Sequence, residues 1–479
     1  MRYQEWPLAS NMGDDISSAV DASSVQWVLV VKKQDVKTVK TVLEDRCLLN
    51  RSRKITPFWT SSNNNDECCL ISTTFVEWES FTGDMEHHLK ELGIEDLVVD
   101  AHILTTKDPR ETEFTTPLRR AVQTWITSLP KGTITDEQAM ALPQELRSGY
   151  SIYLPMLLLP PSTFTTPAWS ALLPTLSIDQ CAALYRTIAN IMSLTHVAIN
   201  APIPPSTLDS PNTLRSPVNL VPLHGDFGPP SPIASPTQTD LDAAFWVSAR
   251  QNGISQTWAP RHTMFSRGNI KEKARILALP SVREAAGYTA VDLYSGIGYF
   301  AFSYMRAGMS TVVGFEMNPW SVEGCRRGAE MNGWTVEVHE ERDNIKENVQ
   351  GKQMILFQMD NKHAEVVVGQ LSQKIPAVRH VNCGLLPTSK ASWGTALSLV
   401  DEELGGWAHL HENIKIEKID TRARHVLSIC QAVLDVQRDH QGGQTTMLEL
   451  EHVERVKTYA PGIMHCVLNI YIPPNPRRS

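Results

Sequence analysis

The stretch Val291-Asp292-Leu293-Tyr294-Ser295-Gly296-Ile297-Gly298-Tyr299-Phe300 decides the fold, together with the apolar run Thr311–Phe315 and the Glu316 that closes it. Thr289 to Leu293 reads as a buried strand, Ser295 to Gly298 as a tight turn, and Tyr299 to Ala307 as a helix. Glycines at 296 and 298 let a ligand approach the backbone where a Cβ would collide. The helix that follows presents unpaired N–H groups at its start. Glu316 ends the second run, where an acid accepts hydrogen bonds from a ribose diol. The unit is strand, turn, helix, strand, acid, and it suits a nucleotide. A dinucleotide fingerprint would place a third glycine after Gly298 and a pyrophosphate on the helix N-terminus; here the third position is Ala301.

The wording Asp-Leu-x-Ser-Gly-x-Gly-x-Phe, with Asp292 just inside the strand end, resembles motif I of the class I S-adenosylmethionine-dependent transferases. That resemblance implies an α/β, Rossmann-like methyltransferase fold. It makes S-adenosyl-L-methionine the group donor, held by Asp292, Gly296, Gly298 and Glu316.

With 479 residues, the chain is long enough for two domains plus linkers, and a large core can be buried. Hydrophobic content of 42% and charged content of 20% are those of a soluble globular enzyme. No run of about eighteen apolar residues occurs, so no membrane span is expected. The N-terminus has no apolar segment of the secretory kind, and a cytoplasmic location is expected. Eight cysteines are scattered with no Cys-x-x-Cys pair, which points to a reducing compartment and no metal site. The net charge of −8 argues mildly against nucleic-acid binding, although a local basic surface can sit on an acidic protein.

Residues 1–24 read as disordered. Residues 25–200 read as a smaller α+β N-terminal domain, beginning with a strand at 25–31 and a helix at 32–48. Residues 201–240 read as a linker, because Pro202 to Pro236 holds ten of the thirty prolines. Within it, Val218 to Phe227 is less polar and is expected to be ordered. Residues 241–479 form the transferase domain, with strands expected at 289–293, 311–315, 353–359, 378–383, 405–411, 443–456 and 463–472. The alternation implies a mostly parallel sheet with a final antiparallel hairpin.

Three further segments carry chemistry. Met264 to Ile276 precedes the first sheet strand and reads as a strap over the cofactor. Ser266 caps its helix, and Lys273 neutralises the cofactor carboxylate with a compact charge. Its plain alternative is a solvated amphipathic segment. The pair Asp360-Asn361 ends the 353–359 strand and suits the amine and ring nitrogen of adenine; Asp343-Asn344 is a competing pair. Gly384-Leu385-Leu386-Pro387-Thr388-Ser389 ends the next strand, beyond which substrates lie in open α/β sheets. Amino-methylating enzymes carry Asn-Pro-Pro-Tyr there, so this chain lacks that side-chain acceptor. Leu385, Pro387 and Thr388 are taken as substrate-side. No acid–base residue is singled out: His380, His409, His411 and Glu412 stand near strand ends, where a histidine is more often structural.

Taken together, Met264–Ile276, Val291–Phe300, Glu316–Pro319, Asp360-Asn361, Gly384–Ser389, His409–Asn413 and Val456–Gly462 resemble the wybutosine-synthesising tRNA aminocarboxypropyltransferase family over residues 245–472. Relatives of that family include a tRNA guanine-N1 methyltransferase, from which Gly-Leu-Leu-Pro-Thr-Ser separates this chain. Lys362 stands where the family would carry arginine, and the Glu337–Gln353 loop is longer. The resemblance implies transfer of the 3-amino-3-carboxypropyl group from S-adenosylmethionine to a carbon of the tricyclic wyosine precursor beside the anticodon of phenylalanine tRNA, with release of methylthioadenosine. No membrane and no obligate protein partner are implied. Two rival readings stand: the guanine-N1 methyltransferase, which would release S-adenosylhomocysteine, and a catalytically silent tRNA-binding module. For tRNA contact the sequence offers Lys33, Lys37 and Lys40, followed by Arg51, Arg53 and Lys54, either as a phosphate-contacting patch or as a solvated helix face.

Overall fold

The computed structural model describes residues 25–46, 48–50, 55–58, 68–76, 89–105, 116–146, 149–200, 220–229, 233–340, 349–439 and 446–475. Residues 1–24, Arg51, Arg53, Lys54, most of the proline-rich stretch and the Asp343-Asn344 pair lie outside them. Two compact units are present, 1–115 and 116–479.

In the first unit the strands Thr56–Phe58, Cys68–Val76, Val25–Lys32 and Val98–Thr105 form one antiparallel sheet in that order. The helix Val36–Asp45 lays Val39 and Leu43 onto Leu29, Val31 and Ile71. It begins later than the sequence suggested, so Lys33 lies in the turn before it.

The expected first domain, 25–200, does not coincide with a compact unit. Residues 116–200 belong with the transferase, and the reason is apolar packing. Tyr153, Met156 and Ala198 share a buried cluster with Phe227, Val247, Trp258 and Ile297. Val221–His224 adds a strand beside His196–Ile199, so this part of the expected linker is built into a sheet.

The transferase sheet, eight-stranded among the described residues, is labelled here in chain order: β1 (Thr289–Asp292), β2 (Thr311–Phe315), β3 (Val336–Glu340), β4 (Met354–Gln358), β5 (Val378–Cys383), β6 (Gly406–Lys415), β7 (Glu449–Ala460) and β8 (Ile463–Ile472). Its order is β3-β4-β2-β1-β5-β6-β8-β7. β3 to β6 run parallel across the sheet, and the β7–β8 hairpin closes it antiparallel. The near-continuous apolar runs of β1, β2 and β4 suit strands covered by helices on both faces. One face packs Val291, Val313, Phe357 and Leu410 against the helices Ala364–Leu371, Trp393–Leu399 and Ile419–Asp439. On the opposite face Ala290, Val312 and Leu356 pack against the helices Ile270–Ala278 and Ala301–Ala307. Strand β3 was not expected, and β6 runs on to Lys415 because β8 pairs with it from end to end. No described helix is long and apolar enough to cross a membrane.

Candidate cofactor and substrate site

β1 delivers Asp292 to the middle of the sheet, with β2 on one side and β5 on the other. Its carboxylate is fully buried, accepts from the Tyr294 N–H at 3.2 Å and from the Asn382 Nδ2 at 3.1 Å, and leaves Oδ2 without a partner. Burial pushes its pKa up to about 6. The turn that follows needs its glycines. Gly296 has φ +52° and Gly298 φ +84°, and a Cβ on Gly298 would overlap the Phe302 ring.

Glu316 leaves the end of β2 and bends back over this turn. Its Oε2 accepts from the Gly296 N–H at 3.0 Å and its Oε1 from the Asn318 N–H at 2.8 Å. The backbone thus fixes the carboxylate beside the motif turn. Asp360 and Asn361 arrive at the end of β4, one strand beyond β2. Asn361 Nδ2 donates to the Leu293 carbonyl at 2.7 Å, tying the pair to the motif turn. Asp360 folds onto its own turn, accepting from the Lys362 N–H at 2.9 Å and pairing with Lys362 Nζ at 3.5 Å.

The strap meets the same turn through Tyr299. The Tyr299 hydroxyl donates to the Met264 carbonyl, and the Ser266 N–H donates to the hydroxyl oxygen at 3.3 Å. Ser266 does not cap the helix with its side chain, contrary to the sequence expectation. A short 3-10 turn, Arg267–Asn269, intervenes, and Asn269 occupies the cap position. Lys273 is buried. Its Nζ donates to Gln256 Oε1 at 2.6 Å and Gln251 Oε1 at 3.1 Å, and lies 5.0 Å and 5.1 Å from the Phe265 and Tyr299 ring centroids. It forms no ion pair among the described residues, and burial pulls its pKa down to about 7. A buried cation solvated by amides and ring faces, with no acid beside it, suits an anionic ligand group.

The Gly384–Ser389 segment leaves β5 next to the end of β6. Pro387 accepts from the Asn413 N–H at 2.8 Å, and Thr388 bridges to Glu412. Pro387 and Thr388 are exposed, and Leu385 is half-buried. Asn382, whose amide fixes Asp292, was missed at the sequence level; only its place two residues before Gly384 hinted at it. Among the described residues no group of three or more His, Cys, Asp or Glu side chains is arranged to hold a metal ion.

The sheet order, the glycine turn after β1 and the acids ending β1 and β2 define a class I, Rossmann-like transferase of the S-adenosylmethionine-dependent kind. Residues 248–369 match the TRM5/TYW2 methyltransferase domain family. The chain is 37% identical over 354 residues to tRNA wybutosine-synthesizing protein 2 of Schizosaccharomyces pombe, covering 74% of this chain and 78% of that one. It is 32% identical over 359 residues to the Saccharomyces cerevisiae protein of the same name, covering 67% and 73%. A solved structure of P. horikoshii TYW2 in complex with MeSAdo overlaps with a TM-score of 0.46 at 16% identity, covering 74% of this chain and 98% of that one. The chain belongs to the tRNA wybutosine-synthesizing protein 2 family.

Proposed function

We propose that this chain transfers the 3-amino-3-carboxypropyl group of S-adenosylmethionine to a carbon of the tricyclic wyosine precursor beside the anticodon of phenylalanine tRNA, releasing methylthioadenosine. The observation that carries the reading is the disposition of Lys273. Its buried ammonium lies over Tyr299, whose ring would touch a Cβ on Gly296. The cation therefore stands beside the motif turn, where it draws the amino-acid arm of the donor by its carboxylate. Glu316 takes the ribose, and Asp360 with Asn361 takes the adenine. Ser266, on the strap docked to Tyr299, faces the methionine end.

A sulfonium activates all three of its carbons. The group transferred is the one held in line with the nucleophile at about 3 to 3.5 Å. Holding the arm's carboxylate selects the long arm over the methyl group. The absence of an asparagine side chain in Gly384–Ser389 fits a carbon acceptor, which offers no N–H to hold. Leu385, Pro387 and Thr388 line the acceptor side.

The test is mass spectrometry of the small-molecule product after incubation with S-adenosylmethionine and precursor tRNA. Methylthioadenosine is expected. S-adenosylhomocysteine would make the chain a methyltransferase, and no consumption of the donor would leave a binding module.

A further inference from the structure

The face of the sheet beneath the strap carries two histidine pairs, and they are wired differently. In the first, His380 Nδ1 and His409 Nε2 lie 3.0 Å apart, and both outer nitrogens have partners: His409 Nδ1 meets Asn469 Oδ1 at 3.0 Å and His380 Nε2 meets the Ser281 carbonyl at 3.1 Å. Both ends of this pair touch a neighbouring polar group, and it reads as a structural link between strands. In the second, His411 Nδ1 and His465 Nε2 also lie 3.0 Å apart, yet His411 Nε2 and His465 Nδ1 are buried with no hydrogen-bond partner. A buried polar atom without a partner calls for an explanation, and catalysis is one.

Position supplies that explanation. Leu410 is in register with Cys383, so His411 stands level with Gly384 at the substrate end of the sheet. The His411 ring centroid is 4.9 Å from that of Phe300, and the Phe300 ring is 3.2 Å from where a Gly384 Cβ would lie. On the other side, His465 feels the charge of Lys457, whose side chain lies across Gly268 of the strap, half-buried. Burial, with the Lys457 charge, holds His465 neutral with a pKa down at about 4, and burial, with His465, His409 and Arg275 nearby, holds His411 well below the usual range.

Two neutral imidazoles in series always carry one lone pair at one end and one N–H at the other. Resting on the aminocarboxypropyl reading above, we infer that the His411–His465 pair is a relay that takes the proton leaving the acceptor carbon. A bond forms between that carbon and the γ-carbon of the donor arm, while the γ-carbon–sulfur bond breaks and its electron pair stays on sulfur. The base is left cationic with one hydrogen too many at the carbon. His411 Nε2 accepts that proton, His411 Nδ1–H passes its own to His465 Nε2, and His465 Nδ1–H releases one past Lys457. Lys457, itself cationic, takes no proton; the acceptor at the far end is a solvent water reaching His465 Nδ1, so that both rings exchange tautomers and no charge stays in the core.

The experiment uses the full chain with His465→Gln and His411→Asn, assayed in single turnover on precursor tRNA carrying protium or deuterium at the acceptor carbon. His465→Gln retains a hydrogen-bonding partner for His411 but cannot relay. A loss of about 100-fold or more is expected in both variants, the scale of general acid–base catalysis. Donor affinity by calorimetry should stay within about twofold of wild type, and a deuterium effect should appear in the variants that wild type lacks. Folded variants that turn over at the wild-type rate overturn the relay. A slowed variant without a deuterium effect also overturns it and leaves the pair a positioning role. If wild type itself releases S-adenosylhomocysteine, the parent reading has failed instead, which the product shows before any variant is made.

Discussion

Lys273 and Asp292 are both ionisable groups forced into the interior beside the same turn, and burial moves each toward its neutral form. For Lys273 the ordinary value of 10.5 falls to about 7. Between those limits the unfolded chain binds a proton that the folded chain does not, so stability rises with pH through that window. A donor carboxylate against Nζ would restore the charge, and binding in this range should therefore take up a proton. Calorimetry in two buffers of different ionisation enthalpy measures that uptake. Lys273→Met should abolish it and should weaken S-adenosylmethionine more than methylthioadenosine, which lacks the arm. Equal losses for the two ligands would move Lys273 off the carboxylate. For Asp292 the sign reverses. Its pKa rises from 3.8 to about 6, so the folded state holds the extra proton and stability falls as pH rises from 4 to 6. Asp292→Asn cannot titrate; its stability relative to wild type should improve steadily across that interval in thermal denaturation. A constant difference would mean that the carboxyl titrates normally.

Among the elements, the turn between β1 and its helix is the least tolerant of change. Gly298→Ala must place a side chain at φ +84° and against Phe302. The conformation alone costs of order 1–3 kcal/mol. Urea denaturation should show at least that loss, with donor binding lost in parallel; a variant of unchanged stability would mean that the turn rearranges. This turn was legible in the sequence because glycine requirements and apolar runs are local. So were β1, β2, β4 and β5, and the final hairpin. What was not legible depends on distant pairing. Val336–Glu340 mixes charge with β-branched residues, yet becomes a strand because β4 offers it an edge. The Asn382–Asp292 bond exists because β1 and β5 are neighbours in register. The two amides that solvate Lys273 come from the hairpin Val247–Gln251 and Ile254–Trp258, which no motif announced. The Ser266 cap failed for a local reason, the 3-10 turn inserted before the helix.

At the scale of the whole molecule, the candidate cofactor residues all lie in the unit 116–479, while the basic helix face belongs to the unit 1–115. That separation makes the tRNA grip testable on its own. Lys33 and Lys37 are exposed, whereas Lys40 is half-buried with its Nζ 3.8 Å from Glu44. On a chain of net charge −8, such a face would act locally, by phosphate contacts that carry no base information. Each contact removed should flatten the plot of log affinity against log salt by about 0.7 to 0.9. Replacing Lys33, Lys37 and Lys40 together by glutamine should therefore flatten it by about two to three units if all three touch phosphate. Donor affinity should not change, since no residue of the candidate cofactor site is touched. Binding of precursor tRNA across a salt series reads the slope directly, and an unchanged slope would return the three lysines to a solvated face and leave the tRNA to residues 116–479.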